Sequence, residues 1–300
     1  LKLVLSTTDA MQEVLGRKIK KVPTLRGKVI VTLFYESSTR TRVSFEEAGK
    51  LLSADVINVS ASGSSIEKGE SLLNTLRTLQ ATGTDAIVVR HPHSGAPYFM
   101  ARHLERTIVI NGGDGWHAHP TQALTDLYTI QQHLGQINDV KVVIVGDILH
   151  SRVARSNLWS LTTSGARIVL CAPPTLLPQE FITGNHRRDG NPFANVDVSS
   201  NLDQAIRDAD VVMPLRLQLE RQQAGLLPTL REYSKMYGVD ERRIALAKPG
   251  ALVLHPGPMN EGVEISPQVA HGPHSLVEEQ VRNGVALRMA LLYLLMRPHE

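Results

Sequence analysis

The chain has 300 residues, of which 42% are hydrophobic and 20% are charged, and this composition excludes a disordered or fibrous protein. Its 32 Lys and Arg residues against 29 Asp and Glu residues give a net charge of +3 without a long basic run, so nothing favours nucleic-acid binding. The single cysteine, Cys171, excludes an internal disulfide and a cysteine-based metal site, and we expect it to be a small core residue.

The length corresponds to about two domains. The sequence contains no apolar run of about 18 residues, so no membrane-spanning helix and no membrane partner are expected. The N-terminus carries no basic segment followed by an apolar one, which predicts a cytoplasmic protein.

Short apolar strands alternate with helical stretches through the first half of the chain. The predicted strands comprise residues 28–34, 55–60, 85–89 and 107–111. The predicted helices comprise residues 39–52, 71–82, 96–104 and 120–134. Repeated strand–helix units of this kind predict a parallel sheet with helices on both faces.

A second series of elements follows. Its predicted strands comprise residues 140–145, 167–171, 195–198, 210–215 and 251–254, and its predicted helices residues 152–163, 202–208 and 276–296. The fold class is therefore α/β, with two doubly wound parallel-sheet domains and a C-terminal helix that packs back on the first. The predicted domains are residues 1–134 with 276–300, and residues 135–275. Two long irregular stretches, 183–193 and 216–227, are expected to be functional or mobile loops.

The most informative stretch follows the first predicted strand, where residues 38–42 read Ser-Thr-Arg-Thr-Arg. It lies at the predicted start of a helix, where unpaired backbone N–H groups and the positive end of the helix dipole attract anions. Hydroxyl and guanidinium groups added there make a site for a small, doubly charged oxyanion such as phosphate. The alternative is a capped, solvated basic turn, and this stretch alone does not decide between the two.

Further polar side chains follow the third and fourth predicted strands. Arg90 comes after the third strand, and His119 and Gln122 come after the fourth. Pro120 suits the first turn of a helix, so His119 lies close to a helix start, where a neutral imidazole can donate one N–H group to a carbonyl oxygen. Because ligands bind outside the carboxyl ends of parallel strands, we expect these side chains at one edge of the sheet, together with residues 38–42.

The second series of strands repeats this arrangement. Arg152 follows strand 140–145 at a helix start, and Arg216 and Gln218 follow strand 210–215. Two arginines at two strand ends suit a substrate with two carboxylates. No G-x-G-x-x-G pattern follows the first of these strands, which disfavours a nucleotide-linked dehydrogenase.

A turn and a loop complete the candidates. The turn after the last predicted strand contains His255, Pro256, Gly257 and Pro258, and its rigid backbone offers carbonyl groups to an amine. The Gly/Ser loop at residues 64–70 is either an ordinary solvated loop or a segment that lends a lysine to a phosphate site. Taken singly, each candidate has a structural explanation, such as a salt bridge at a strand end or a helix cap. Their convergence on sheet edges is what favours a functional site.

Five ordered motifs resemble the carbamoyltransferase family over almost the whole chain. They are Ser-Thr-Arg-Thr-Arg at residues 38–42, Arg-His-Pro at 90–92, His-Pro-Thr-Gln at 119–122, Arg-x-Gln at 216–218 and His-Pro-Gly-Pro at 255–258. The loop at residues 64–70 and the Arg-x-Gln pair resemble the aspartate branch of the family. The resemblance implies transfer of the carbamoyl group of carbamoyl phosphate to the amine of L-aspartate, which gives N-carbamoyl-L-aspartate and phosphate in de novo pyrimidine biosynthesis.

The resemblance also implies a role for each candidate residue. The ligands of carbamoyl phosphate would be Ser38, Thr39, Arg40, Thr41, Arg90, His119 and Gln122. The ligands of L-aspartate would be Arg152, Arg216, Gln218, Pro256, Gly257 and Pro258. The catalytic groups that polarise the carbonyl of carbamoyl phosphate would be Arg40, Thr41 and His119. The neighbouring subunit would contribute Ser64 and Lys68, so the catalytic unit would be a homotrimer with shared active sites.

No metal and no cofactor is expected for this reaction. A regulatory chain, a dihydroorotase partner and the acceptor of the amine proton are left open. Three positions depart from the family pattern: Ser37 stands where many members have Pro, Glu67 where some have a second lysine, and residues 259–261 where an arginine is often found. These departures put substrate affinity and loop closure in question, but they remove no ligand.

Two alternatives compete with this interpretation. The ornithine carbamoyltransferase branch is expected to have a His-Cys-Leu-Pro turn whose Cys helps to bind the amino acid. In this chain Cys171 lies elsewhere, and Arg216 would repel a cationic substrate. A catalytically silent scaffold subunit is expected to have lost part of the phosphate site, whereas the motifs containing Arg40, Arg90 and His119 are present.

Overall fold

The computed structural model of the chain describes residues 1–60, 69–218 and 229–297. The chain divides into two compact units, one formed by residues 1–121 with the C-terminal residues from Val281, and the other by Gln122–Gln280. The boundaries between the two units fall inside the helices Pro120–Leu134 and Val277–Met296. The sequence instead places one boundary after the first of these helices and the other before the second. The predicted domains, residues 1–134 with 276–300 and residues 135–275, stay a prediction.

The first unit contains a four-stranded parallel sheet in the order β2-β1-β3-β4. Its strands are β1 (Val29–Phe34), β2 (Asp55–Ser60), β3 (Ala86–His91) and β4 (Ile108–Asp114). The helices that begin in this part of the chain are α1 (Lys2–Gly16), α2 (Thr39–Leu51), α3 (Leu72–Ala81), α4 (Ala96–His103) and α5 (Pro120–Leu134).

Apolar side chains are buried on both faces of this sheet, because parallel strands carry helices on both sides. One core cluster joins Phe45 of α2 to Met289 of the C-terminal helix, α12 (Val277–Met296). A second cluster joins Leu33 of β1 to Leu76 of α3 and Met100 of α4. The prediction that the C-terminal helix packs back on the first sheet is confirmed.

The second unit contains a five-stranded parallel sheet in the order β7-β6-β5-β8-β9. Its strands are β5 (Lys141–Val145), β6 (Arg167–Cys171), β7 (Asp197–Ser199), β8 (Val211–Pro214) and β9 (Leu252–Val253). Its helices are α6 (Arg152–Thr163), α7 (Gln179–Ile182), α8 (Leu202–Ile206), α9 (Leu230–Tyr237), α10 (Glu241–Ile244) and α11 (Pro267–Ala270). Two parallel sheets in one chain confirm the predicted α/β fold class.

Several described helices were not predicted. They are α1 and the short helices α7, α9, α10 and α11. The stretch 183–193 was predicted as an irregular loop, but it contains a 3₁₀ turn at Asn185–Arg187. Of the other long stretch, residues 219–227 lie outside the described part of the chain. β4 continues beyond its predicted end to Asp114, and this extension positions one edge of the site described below.

Cys171 is fully buried at the end of β6, which confirms it as a core residue. Burial raises the pKa of its thiol to about 12, so the group stays a protonated thiol at neutral pH and is a poor nucleophile. No helix in the described residues is long and apolar enough to cross a membrane.

Candidate active site

The predicted anion-binding stretch begins a helix. α2 starts at Thr39, and Ser38 occupies the N-cap in extended backbone with no capping hydrogen bond from its side chain. Thr39 and Arg40 are exposed, so hydroxyl and guanidinium groups stand where the first N–H groups of the helix have no helical acceptor. Arg42 has a different environment, because its guanidinium carbon lies 5.3 Å above the ring of Phe34.

Arg90 lies at the carboxyl end of β3, in register with Phe34 at the end of β1. Its Nη1 donates to the carbonyl oxygen of Gly112 at 3.3 Å, and its Nε lies 3.3 Å from Oε2 of Glu36. The salt bridge at the strand end that the sequence left as an alternative is therefore present. It holds the guanidinium close to the segment that leads into α2.

His119 immediately precedes α5 and is buried. Its Nε2 lies 3.5 Å from Oγ1 of Thr41, and its Nδ1 lies 3.5 Å from Oγ1 of Thr121. Both separations are at the long limit of a hydrogen bond. The two helices that begin at Thr39 and Pro120 thus bring two of the three predicted catalytic side chains together.

Asp114, which was not among the predicted site residues, organises the segment before His119. The buried carboxylate accepts hydrogen bonds from the backbone N–H of Gly95 at 2.7 Å, the backbone N–H of Ala118 at 3.1 Å and the side-chain amide of Asn111 at 2.8 Å. These bonds fix the backbone of the turn that delivers the imidazole. An acid inside a glycine-rich turn was the available signal.

Three of the predicted aspartate ligands, Arg152, Arg216 and Gln218, follow two neighbouring strands, β5 and β8. Arg152 is the first residue of α6 and is buried, and the hydroxyl of Ser151 caps this helix by accepting from the N–H of Ala154 at 3.1 Å. After β8, Nη2 of Arg216 donates to Oε1 of Gln218 at 3.3 Å. Since β5 and β8 are parallel and adjacent, both arginines lie at the same edge of this sheet.

Asp147, which is also not among the predicted site residues, connects the segment before α6 to the segment after β8. Its Oδ1 accepts from the backbone N–H of His150 at 3.2 Å and lies 2.8 Å from Nδ1 of the same residue. Its Oδ2 accepts from the backbone N–H of Gln218 at 3.3 Å. One buried carboxylate therefore ties the segment before α6 to the segment after β8.

The turn that begins at His255 is held by its own histidine. Nδ1 of His255 accepts from the backbone N–H of Gly257 at 2.8 Å, so the ring proton lies on Nε2, which is 3.2 Å from Oε1 of the buried Glu264. The N–H of Gly257 and the carbonyl of Pro256 belong to one trans peptide, so this carbonyl points away from the ring. Gly257 has a φ of +60°, which favours glycine at this position.

The remaining predicted site residues are placed as follows. Gln122 is half-buried in the first turn of α5, and its Nε2 donates to Oδ1 of Asp126 at 2.7 Å. Pro258 is exposed. Ser64 and Lys68 lie outside the described residues.

Two family descriptions match the chain over nearly its whole length. Residues 1–132 match the carbamoyl-P binding domain of aspartate/ornithine carbamoyltransferase, and residues 138–295 match the Asp/Orn binding domain. The chain belongs to the aspartate/ornithine carbamoyltransferase family. The resemblance drawn from five short motifs is confirmed.

Relatives with about 60% sequence identity carry the name of the aspartate branch. The aspartate carbamoyltransferase catalytic subunit of Roseiflexus sp. (strain RS-1) is 60% identical over 97% of this chain and 89% of that protein. The same subunit of Chloroflexus aurantiacus is 59% identical over 97% of this chain and 92% of that protein.

Solved structures of both branches share this fold. Aspartate transcarbamoylase from Trypanosoma cruzi, in complex with carbamoyl phosphate and aspartate, has a TM-score of 0.85 at 31% identity over 97% of this chain and 91% of that chain. Ornithine carbamoyltransferase from Pyrococcus furiosus has a TM-score of 0.84 at 29% identity over 98% of this chain and 92% of that chain. Fold similarity therefore does not separate the branches, whereas sequence identity favours aspartate.

Proposed function

We propose that the chain transfers the carbamoyl group of carbamoyl phosphate to the amine of L-aspartate, giving N-carbamoyl-L-aspartate and phosphate. The observation that carries this proposal is the 60% identity, over 97% of the chain, to an aspartate carbamoyltransferase catalytic subunit. The Arg-x-Gln pair of the aspartate branch supports it, because Arg216 and Gln218 are hydrogen-bonded to each other and belong to one short segment.

In this proposal the domain formed by residues 1–134 and 276–300 binds carbamoyl phosphate. The N–H and hydroxyl groups at the start of α2 neutralise the phosphate, together with the guanidinium at the end of β3. Arg40, Thr41 and His119 donate to the carbonyl oxygen, on which negative charge develops as the amine attacks. The 3.5 Å between Oγ1 of Thr41 and Nε2 of His119 supports a common target for these two groups.

The domain formed by residues 135–275 binds L-aspartate. Arg152 and Arg216 each hold a carboxylate, which supplies the proximity and orientation that a reaction between two anions requires. The carbonyl groups at Pro256 and Gly257 accept from the amine. The amine nitrogen then bonds to the carbonyl carbon, and the bond from that carbon to the phosphate oxygen breaks.

Ornithine specificity is the second candidate, supported by the fold of the Pyrococcus furiosus enzyme. Two features of the described residues argue against it. Pro256 stands where the ornithine branch has the Cys of its His-Cys-Leu-Pro turn, and the thiol of Cys171 is buried in β6. Arg216 also presents a positive charge that would repel the side chain of ornithine.

The assignment is tested by offering the purified protein carbamoyl phosphate with either aspartate or ornithine and measuring the ureido product and phosphate. We expect carbamoyl aspartate and an equal amount of phosphate with aspartate, and no product with ornithine. Turnover with ornithine alone would replace the assignment by the second candidate. A folded protein that turns over neither amino acid would instead support a scaffold subunit.

We also propose a cytoplasmic homotrimer in pyrimidine biosynthesis, in which Ser64 and Lys68 of a neighbouring subunit complete each site. The relatives are named catalytic subunits, which supports an oligomer. Mixing inactive Lys68→Ala chains with inactive Arg40→Ala chains is expected to restore activity, because random trimers leave roughly a quarter of the shared sites intact. Mixed trimers seen by native mass spectrometry without recovered activity would indicate self-contained sites.

A further inference from the structure

Asp126 is a fully buried acid within α5 that the proposed mechanism does not use. Its Oδ1 accepts from Nε2 of Gln122 at 2.7 Å and from Nε2 of Gln280 at 2.7 Å. Its Oδ2 accepts from Nδ2 of Asn157 at 2.8 Å. Three side-chain amides from α5, α6 and α12 thus turn their NH₂ groups towards one carboxylate, and all four residues belong to the second unit.

The direction of these amides follows from what each group can donate. A carboxylate only accepts, so an amide beside it presents its NH₂ end. Gln280 gives an independent check, because its Oε1 accepts from the backbone N–H of His255 at 2.9 Å and a backbone N–H only donates. The NH₂ of Gln280 must therefore be the end that faces Asp126. The carboxylate of Asp126 fixes the amide of Gln122 in the same way, with its NH₂ group facing the acid, because Gln122 lies one helical turn away on the same face of α5.

We infer that Asp126 is a positioning residue that holds the NH₂ of Gln122 and so presents the carbonyl oxygen Oε1 of that side chain to the substrate. This inference rests on the proposed function, in which Gln122 binds carbamoyl phosphate. The carbamoyl NH₂ is the donor group of that substrate, whereas a fully ionised phosphate offers only acceptors. Oε1 of Gln122, which faces the substrate, therefore accepts from the carbamoyl NH₂. If the amide of Gln122 were flipped, its NH₂ group would face the NH₂ group of the substrate.

The same carboxylate also supports the turn at residues 255–258. Gln280 lies between Asp126 and the backbone N–H of His255, with a 2.7 Å bond on one side and a 2.9 Å bond on the other. The carbonyl of Pro256, proposed to accept from the attacking amine, belongs to this turn. Two acceptors that the proposal assigns to substrate N–H groups thus depend on one buried acid.

The test compares the dissociation constants of carbamoyl phosphate and inorganic phosphate, measured by isothermal titration calorimetry on the intact protein. Phosphate is expected to use the start of α2 and Arg90, whereas carbamoyl phosphate also uses Gln122. In Asp126→Asn the negative charge is lost and one of the two acceptor oxygens becomes an NH₂ group, so the hydrogen bond that holds Gln122 is weakened. We expect the Kd of carbamoyl phosphate to rise about tenfold, the loss of about one hydrogen bond, while the Kd of phosphate changes by less than about twofold.

Action through Gln122 is tested with a double-mutant cycle. Gln122→Ala is expected to weaken carbamoyl phosphate binding about as much as Asp126→Asn, and the double variant should be no weaker than Gln122→Ala, because the two act as one unit. Gln132→Ala is the matched control, since it removes an exposed amide that bonds to Tyr128 on the same helix, and it should leave both constants unchanged. Additive losses in the cycle would overturn the inference.

The other outcomes are equally decisive. Unchanged carbamoyl phosphate binding in Asp126→Asn, or equal weakening of both ligands, would overturn the positioning role, whereas a parent protein that does not bind carbamoyl phosphate would overturn the proposed function itself. If Asp126→Asn does not fold, the exchanged pair Asp126→Asn with Asn157→Asp returns one carboxylate to the cluster and keeps an oxygen on Gln122. This pair should restore parent-like binding, and binding as weak as that of Gln122→Ala would contradict the inference.

Discussion

Replacing Arg40 by alanine is expected to lower kcat at least about a thousandfold, because the loss of one donor to a developing oxyanion already costs about 100- to 1,000-fold. In the proposed mechanism Arg40 has two duties, since its guanidinium contacts both the leaving phosphate and the carbonyl oxygen. The residue is exposed in the first turn of α2, so its removal leaves no cavity in the core. The measurement is steady-state turnover with carbamoyl phosphate and aspartate, combined with thermal unfolding.

Lys50 provides a matched control on the same helix. It lies in the last turn of α2, its side chain is 58% exposed, and it pairs with Glu46 at 2.5 Å. Lys50→Ala therefore removes the same charge at the opposite end of the helix, and we expect turnover within about twofold of the parent. Normal turnover in Arg40→Ala, or an equal loss in Lys50→Ala, would remove the start of α2 from the mechanism.

Most strands were predictable because strands buried on both faces are nearly continuous apolar runs. β1 and β5 read Val-Ile-Val-Thr-Leu-Phe and Lys-Val-Val-Ile-Val, and alternation with helices indicates parallel pairing. The ends of strands were less certain, because β4 extends to Asp114 through two glycines that carry no strand signal.

Of the helices that were missed, α1 lacks the usual terminal signals and three others are very short, whereas α9 begins with a Thr229 cap and Glu232 in its first turn, a signal that the sequence did carry. α1 has no side-chain cap and no acidic residue in its first turn, although Leu5, Thr8, Met11 and Val14 form a buried face at helical spacing. The three short helices α7, α10 and α11 contain four residues each, which is too few for a periodic pattern to appear.

The candidate ligands were visible in the sequence because each follows a predicted strand, and the carboxyl ends of parallel strands meet at one edge. The carboxylates that support them were not. Asp114 bonds to Gly95 at a separation of 19 residues, Asp147 to Gln218 at 71, and Asp126 to Gln280 at 154. The glycine-rich turn was a local signal for Asp114 alone. Asp147 bonds to a residue far away in the sequence, and Asp126 lies within a helix, where an acid is ordinarily solvated, so neighbouring residues give no signal of these two roles.

Arg216→Ala is expected to raise the KM for aspartate about a hundredfold and to leave the Kd of carbamoyl phosphate unchanged. Loss of a paired guanidinium–carboxylate contact removes two charge-assisted hydrogen bonds, worth about 3 kcal/mol together, which corresponds to roughly a hundredfold in binding. Gln218 should stay in place without its partner, because Asp147 accepts from its backbone N–H at 3.3 Å. The effect is therefore confined to one substrate, and initial rates with each substrate varied in turn measure it.

Arg187 is the matched control for this variant in the same unit. Its side chain is 51% exposed and pairs with Asp197 at 2.9 Å on the surface, so Arg187→Ala removes an equal charge without touching the proposed ligands. We expect its KM for aspartate to stay within about twofold of the parent, since an exposed ion pair contributes little. Equal increases in both variants would indicate attraction by net charge rather than a direct clamp. An increase in the KM for aspartate confined to Arg216→Ala, together with a loss of kcat confined to Arg40→Ala, would assign aspartate binding and carbonyl polarisation to different domains.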